Sequence, residues 1–367
     1  MKLTIALQLK PTDNQAKELL TTLEKANAAA NSISKIAWEA HTFGQFKLHK
    51  LVYYPIRETF DLTAQMVVRL IAKVADSYKL DKKRQRVFRK HGAITYDDRI
   101  LKVKIKEESV SIWTVAGRQQ IPFVCGQKQR ELLKFLKGES DLVYRDGKWY
   151  LFLTIDYQEP APDEPDDFLG VDLGIIQIAS LSDGQTFTGK AVTKVRYRNL
   201  KFRAKLQSKG TKSAKRLLKK RNRKEARFAT HTNHVISKRI VQTAKTQRKA
   251  IALENLSGIR ERVTVSRRQR STLHSWSFYQ LLSFVLYKAK KEGVRVEVVD
   301  PHYTSQTCSS CGNCHKANRP NQANFKCTRC GFAANADYNA AKVISYLGGV
   351  AVGVPYAVSI NSARVAG

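Results

Sequence analysis

The sequence predicts a multidomain α/β chain: a strand-rich first part with inserted helices, then an α/β domain with a small metal-binding module set into it. Three observations carry this. Glu159-Pro160-Ala161-Pro162-Asp163-Glu164-Pro165-Asp166-Asp167 is acidic, proline-rich and without hydrophobic periodicity, which marks an extended linker between two patterned halves. After it, the order of elements reads β-β-β-helix-β-helix-β-helix. Near the end, the pairs Cys308/Cys311 and Cys327/Cys330 stand fifteen residues apart, the spacing of a structural zinc site.

A chain of 367 residues has room for two or three domains with proper cores, and 43% apolar content is ordinary for a folded protein. The charge is not ordinary: 65 Lys+Arg against 31 Asp+Glu leave a formal +34 and a pI near 10. Such an excess opposes compaction by self-repulsion unless a polyanion neutralises it, so nucleic acid is the expected partner. Composition alone leaves a merely basic, ribosomal-type protein as the lesser alternative. MKLTIALQLKPTDN turns polar within ten residues, so no signal peptide is expected, and no apolar run of eighteen residues offers a membrane span. Five of the six cysteines fall between 308 and 330, which suits metal ligation in a reducing cytoplasm better than a disulfide framework. Cys125 stands apart and is expected to be a buried small hydrophobe.

Residues 2–10, KLTIALQLK, alternate like a strand. Thr12 with Gln15 three residues on reads as a capping box opening an Ala-rich helix to about Trp38. A second helix is expected from about Thr59 to Lys79, with Leu62, Met66, Val67, Leu70 and Val74 on one face. Lys79 to His91 carries seven Lys/Arg and leads into β-prone segments at 101–106, 109–114 and 120–124. Asp146-Gly147 between LVYR and KWYLFLTI signals a type I′ hairpin. The first part therefore reads as a β-barrel-like domain with a helical insertion, or as two small domains in series.

Beyond the linker, FLGVDLG, IIQIASLSDG and QTFTG read as consecutive strands, with a turn at Asp183-Gly184. Residues 190–249 hold 22 Lys/Arg and one acid, Glu225, in a helical pattern broken near Gly210 and resumed to about Thr246. That local excess reads as a pair of basic helices along a phosphate backbone. His231 and His234 have no acidic companion and are expected in the core or facing phosphate, not on a metal. Ala250 to Leu256 is a buried-type strand ending near Glu254. Ser257 to Leu273 is a loop with Arg260, Arg262, Arg267, Arg268 and Arg270, and Ser275 caps a helix to Glu292, stopped by Gly293. Val294 to Asp300 is a strand, and a helix runs past Asp337 to about Leu347.

Three acids stand out by their setting: Asp172 in an apolar strand, Glu254 at the end of a later strand, and Asp337 on a helix. A carboxylate in a buried strand is costly unless paired or bound to a cation; a hydrogen-bonded core Asp is the plainer reading of Asp172 alone. Phosphodiester hydrolysis is served by two divalent ions about 4 Å apart that activate water and stabilise the leaving oxygen. Mg2+ takes a few hard carboxylate oxygens, and converging carboxylates stay ionised together only when cations share their site. The order of elements, with an acid on the first strand, is compatible with a ribonuclease-H-like sheet.

GVDLG at 170–174, ALENLSGI at 252–259, TSQTCSSCG with CTRCG, and NADYNAAKVI at 335–344 resemble TnpB, the transposon-associated RNA-guided nuclease family related to the ancestors of type V CRISPR effectors. The motif-bearing resemblance covers about residues 166–345. It implies a RuvC-like nuclease domain at 168–301 and 333–347 with a zinc ribbon at 302–332. Before the linker at 159–167 it implies a wedge-like β-barrel at 1–10 and 80–158 and a helical recognition insertion at 11–79. Residues 348–367 are left as a tail. By residue, Asp172, Glu254 and Asp337 match the family's catalytic, Mg2+-holding acids, with Mn2+ as a substitute. Cys308, Cys311, Cys327 and Cys330 match its zinc ligands.

The implied function is RNA-guided DNA cleavage, with an omega RNA as guide, double-stranded DNA with a short transposon-adjacent motif as target, and the prokaryotic cytosol or nucleoid as compartment. Cys314 departs from the pattern and makes Cys311/Cys314 a competing ligand pair. Cys308/Cys311 is preferred because Cys311-Gly312 mirrors Cys330-Gly331, each glycine permitting the tight turn behind a knuckle. Two other readings remain: a guided DNA-binding protein that acts in repression or transposition without cutting, and a transposase that joins DNA itself.

Overall fold

β1 (Lys2–Leu9) buries Ile5, Leu7 and Leu9 on one face, as its alternation requires. It begins the first of two units, Met1–Gln158 and Glu159–Gly367, of a computed structural model that describes residues 1–162, 164–165, 167–256 and 278–351. After β1 come α1 (Asp13–Glu39), α2 (Gln45–Phe60) and α3 (Ala64–Leu80). Strands β2 (Ile94–Tyr96), β3 (Leu101–Lys104), β4 (Ser109–Thr114) and β5 (Gly117–Val124) follow. A short α4 (Gln127–Leu132) leads to the hairpin β6 (Leu136–Arg145) and β7 (Lys148–Asp156). The seven strands form one antiparallel sheet in the order β2-β6-β7-β1-β5-β4-β3. Tyr96, on the β2 edge, donates its hydroxyl to the Trp113 carbonyl on β4 at 3.0 Å, which curls the sheet toward a barrel.

The hairpin turn has φ 52° at Asp146 and 75° at Gly147, the two positive values of a type I′ turn. α1 opens on the expected capping box: the Gln15 amide N–H donates to Thr12 Oγ1 and the Thr12 N–H donates to Gln15 Oε1. The insertion holds three helices where two were expected. α2 escapes the sequence reading because Pro55 sits inside it, and Asp61 in the left-handed region (φ 48°) ends it before α3 begins. Met66, Val67, Leu70 and Val74 are buried on α3 as read, Leu62 is buried in the turn before the helix instead of on it, and Cys125 is half-buried against this core instead of enclosed.

The basic run after α3 is not strand. A polar ladder on α1 holds its backbone: Asn27 Nδ2 donates to Gly92 O (2.8 Å), Asn31 bonds both the N–H and C=O of Phe88 (2.7 and 2.9 Å), and Ser34 donates to Arg86 O (2.6 Å). With its backbone satisfied by side chains, this segment needs no sheet partner.

The second unit is built on β8 (Asp167–Asp172), β9 (Gln177–Leu181) and β10 (Thr186–Thr188), followed by α5 (Lys190–Lys209), α6 (Lys212–Arg221) and α7 (Lys224–Thr246). Then come β11 (Lys249–Glu254), α8 (Phe278–Glu292), β12 (Val296–Val299), a two-stranded ribbon of β13 (Asn324–Lys326) and β14 (Ala333–Asn335), and α9 (Ala336–Ala351). The sheet order is β10-β9-β8-β11-β12, with β8, β11 and β12 parallel and β9 and β10 antiparallel. The basic stretch breaks at Gly210 as read, and again at Asn222 and Arg223, where φ is 63°. The Arg260–Arg270 loop, the Ser275 cap and residues 352–367 of the expected tail lie outside the described residues, whereas residues 348–351, expected as tail, continue α9. Among the described residues, no helix is long and apolar enough to cross a membrane.

Candidate active site and metal centre

β8 and β11 are parallel and pair Val171 with Leu253, so the next position on each strand brings Asp172 abreast of Glu254 at the carboxyl ends. Open α/β sheets leave their binding crevice at that end, because the strands stop there and loops take over. Both acids terminate apolar strands whose Leu169, Val171, Ile251 and Leu253 are fully buried.

The third acid arrives on a helix, and a glycine decides where. α9 crosses β8 so closely that a Cβ on Gly170 would lie 1.9 Å from the Ala341 carbonyl oxygen and 2.5 Å from the Ser345 nitrogen. Farther along, Ser345 donates to the Phe168 carbonyl at 2.6 Å, and a Cβ on Gly348 would meet Ala252 and Phe168. The helix therefore runs antiparallel to β8, with Ala341 level with Gly170 and Ser345 level with Phe168. Four helical residues back from Ala341 rise about 6 Å, and two strand residues on from Gly170 rise about 6.6 Å. Asp337 is thereby brought level with Asp172.

The motif around Asp337 divides its labour. Asn335 Oδ1 accepts the amides of Asp337 (3.0 Å) and Tyr338 (3.2 Å) and so caps α9. Asn339 accepts the Ser309 N–H (3.0 Å) and donates to the Thr307 carbonyl (2.8 Å), stapling the first cysteine knuckle to the helix.

The electrostatics are those of crowded carboxylates. Asp172 is pushed up to about 8, by burial first and then by the negative charges of Glu254 and Asp337, with the Arg319 cation opposing. Glu254, 7% exposed, is raised by burial against the pull of the Thr304 hydroxyl and Arg319. Thr304 donates to Glu254 Oε1 at 2.5 Å. Asp337 is raised by burial, and Arg319 opposes this from 3.7 Å. Sequence reading missed Thr304, Arg319 and Asn339. Arg319 lay in a Lys/Arg-rich chain with nothing to single it out, and its role exists only because the ribbon folds back toward the sheet.

The four cysteines converge as read. The Sγ atoms of Cys308, Cys311, Cys327 and Cys330 all lie within 4.8 Å of one another, with Cys308–Cys330 at 3.8 Å and Cys311–Cys327 at 3.6 Å. Four ligands at the usual Zn–S length of about 2.3 Å require sulfur separations of about 3.8 Å, so the set fits a tetrahedral zinc ion. The knuckles are copies: Gly312 N–H donates to Cys308 O and Gly331 N–H to Cys327 O, with φ 73° and 75° at the two glycines. Cys314 stays outside this cluster, exposed, its backbone bridging Thr307. His231 and His234 are both exposed, so the core placement is excluded; His234 stacks on Phe284 at 3.9 Å.

Two family models match in chain order: a probable transposase over residues 152–258, from the end of the first unit into the second, and the Cas12f1-like TNB domain over 278–344. The CRISPR-associated endodeoxyribonuclease Cas12f1 of Sulfoacidibacillus thermotolerans is 27% identical over 92% of this chain and 95% of its own. A TnpB-like protein of Methanocaldococcus jannaschii is 38% identical over 29% of this chain and 39% of its own. A solved Cas12f1–sgRNA–target DNA complex shares the fold, with TM-score 0.59 at 17% identity over 90% of this chain and 82% of that one. Over these two stretches the chain is thus similar to a probable-transposase family and to the Cas12f1-like TNB domain. Among known proteins it is similar to TnpB-like and Cas12f proteins.

Proposed function

We propose that this chain is an RNA-guided DNA endonuclease and that Asp172, Glu254 and Asp337 are its catalytic acids. The observation that carries the reading is the meeting of three carboxyl groups at the carboxyl end of one sheet, with Asp172 driven up to about 8. Burying a carboxyl beside two other acids costs a purely structural cluster stability, and a site that receives cations offsets that cost. The acids would hold Mg2+, two ions with Mn2+ as substitute, and bound Mg2+ supplies charge stabilisation for phosphodiester hydrolysis. Thr304 orients Glu254 through its hydroxyl, and Arg319 relieves the repulsion until cation and phosphate arrive. Zn2+ in the four cysteines has no open ligand position and is structural.

In this reading, residues 168–301 and 333–347 form a RuvC-like nuclease domain and 302–332 its zinc ribbon. Residues 1–10 and 80–158 act as the wedge, and 11–79 as the recognition insertion that holds a guide RNA of the omega type. Base pairing reads the target, while the protein reads heteroduplex shape and a short adjacent motif. The names of the relatives support a nuclease, and the basic stretch 190–249 supports a long phosphate path.

The test is to sequence RNA that copurifies with the protein and then assay cleavage on a library with a randomised adjacent motif. Asp172→Ala should abolish cleavage and leave RNA binding intact. Undiminished cleavage by that variant, or the absence of any discrete RNA, overturns the reading.

A further inference from the structure

β9 carries a residue that its own pattern does not explain. Ile178, Ala179 and Leu181 are fully buried apolar side chains, and Ser180 among them is 1% exposed. Among the described residues its hydroxyl has no hydrogen-bond partner. A buried hydroxyl left unpaired costs stability, and an apolar side chain of similar size carries no such cost. Serines buried elsewhere are answered: Ser345 donates to the Phe168 carbonyl and Ser237 to the Asn233 carbonyl, each at 2.6 Å. Ser182, two residues on, accepts the Gly170 N–H at 3.1 Å.

The register of the sheet places this hydroxyl. Antiparallel pairing sets Ser180 opposite Asp172, and the parallel pairing of β8 with β11 brings Glu254 abreast of Asp172 on the other side. Side chains alternate along a strand, and residues paired across strands share a face. Phe168 and Gly170 meet α9, so Asp172 faces it too, and with it Ser180 and Glu254. The three form one row across β9, β8 and β11, about 4.8 Å apart from strand to strand, with Asp337 level with them on α9. Mg2+ gives up its waters reluctantly and keeps several, and each retained water is a donor that needs an acceptor. β9 is paired on both sides, by β8 and β10, so its backbone is engaged in the sheet. On that flank of Asp172 the acceptor has to be a side chain, and Ser180 supplies one.

We propose that Ser180 is a positioning residue for a divalent cation held by Asp172, its hydroxyl accepting a hydrogen bond from a water that the cation keeps on the β9 side. The proposal rests on the reading of the three acids as cation-holding groups, and adds to them a residue on the side away from Glu254. Ser180 touches no reacting atom and acts only through that water.

The probe is Mn2+, titrated into the whole chain freed of nucleic acid, with unbound Mn2+ followed by its electron paramagnetic resonance signal. Ser180→Ala should raise the half-saturating Mn2+ concentration about 10–100-fold, the usual effect of removing a group that supports a metal ligand. In chelator the same variant should melt higher than the parent, because the unpaired hydroxyl is gone. A merely structural serine cannot give weaker metal binding together with a more stable metal-free fold. Ser180→Thr keeps the hydroxyl on a side chain suited to a strand and should bind Mn2+ as the parent does. Ser182→Ala loses the bond to Gly170 and should melt lower with Mn2+ binding unchanged. Unchanged Mn2+ binding by Ser180→Ala overturns the proposal. So does a Ser180→Ala protein that binds weakly but melts lower than the parent in chelator, since a damaged fold then explains the loss. Asp172→Ala separates the two readings. If it binds Mn2+ as well as the parent, the acids hold no cation, and the catalytic reading falls together with this one. If Asp172→Ala loses Mn2+ and Ser180→Ala does not, the acids keep their role and Ser180 loses its own.

Discussion

At the scale of single residues, Asp172 sets the energetics of the site. Its carboxyl holds a proton more tightly folded than unfolded, from an ordinary 3.8 to about 8. Without metal, the folded state therefore binds more protons than the unfolded chain across that window, and stability falls as pH rises through it, then levels off. Asp172→Asn removes this penalty. The metal-free variant should show a higher thermal midpoint than the parent at pH 8, worth on the order of a few kcal/mol, and little difference near pH 4. Thermal melts in chelator at the two pH values measure this. The same variant should be inactive, so it would trade function for stability, as sites built to receive cations do.

At the scale of elements, α9 matters most, because its close approach to β8 fixes the height of Asp337. Gly170→Val would place side-chain atoms inside the α9 backbone, which cannot yield as a flexible side chain could. The expected cost is at least the roughly 1–3 kcal/mol typical of overpacking. Cleavage should be lost while zinc content stays at the parent level, because the knuckle glycines and cysteines are untouched. Denaturant melts and metal analysis of one preparation separate the two effects. In the first unit, the ladder on α1 plays the comparable role for the basic segment that follows α3. Asn31→Ala deletes both bonds to Phe88 and should destabilise that unit by about 1–3 kcal/mol. Faster amide exchange at residues 86–92 than elsewhere in the unit is the specific sign.

At the scale of the whole molecule, charge and metal divide the tasks. Residues 190–249 contribute 22 Lys/Arg against one acid, so the electrostatic footprint lies on the α5–α7 stretch, beside a sheet that carries its acids at one end. The four-cysteine cluster, which could hold a zinc ion, sits in a module whose buried apolar core is little more than Phe325 and its neighbours. So small a core needs a staple. Cys327→Ser should release zinc and unfold the ribbon, and with it remove Arg319 and the Asn339 staple from the acids. Cys314→Ser should leave zinc content unchanged, because its sulfur stands outside the cluster. Colorimetric zinc release on the two variants decides between the ligand pairs.

What the sequence determined by itself is whatever local patterning writes down. The Thr12/Gln15 cap, the Asp146-Gly147 turn, the two knuckles with their glycines, and the three acids in conspicuous apolar or helical settings were all legible from neighbours a few residues away. α2 was not, because an interior proline argues locally against a helix that tertiary packing of Leu48, Val52 and Ile56 nonetheless sustains. Nor was the extended basic segment, whose hydrogen-bond partners lie more than fifty residues earlier on α1. Only the tertiary structure decided that Gly170 sets the level of Asp337, that Arg319 sits against the acids, and that Ser180 stands in one row with Asp172 and Glu254. Each of these is a distance between segments remote in the chain, and composition and periodicity carry no record of such distances.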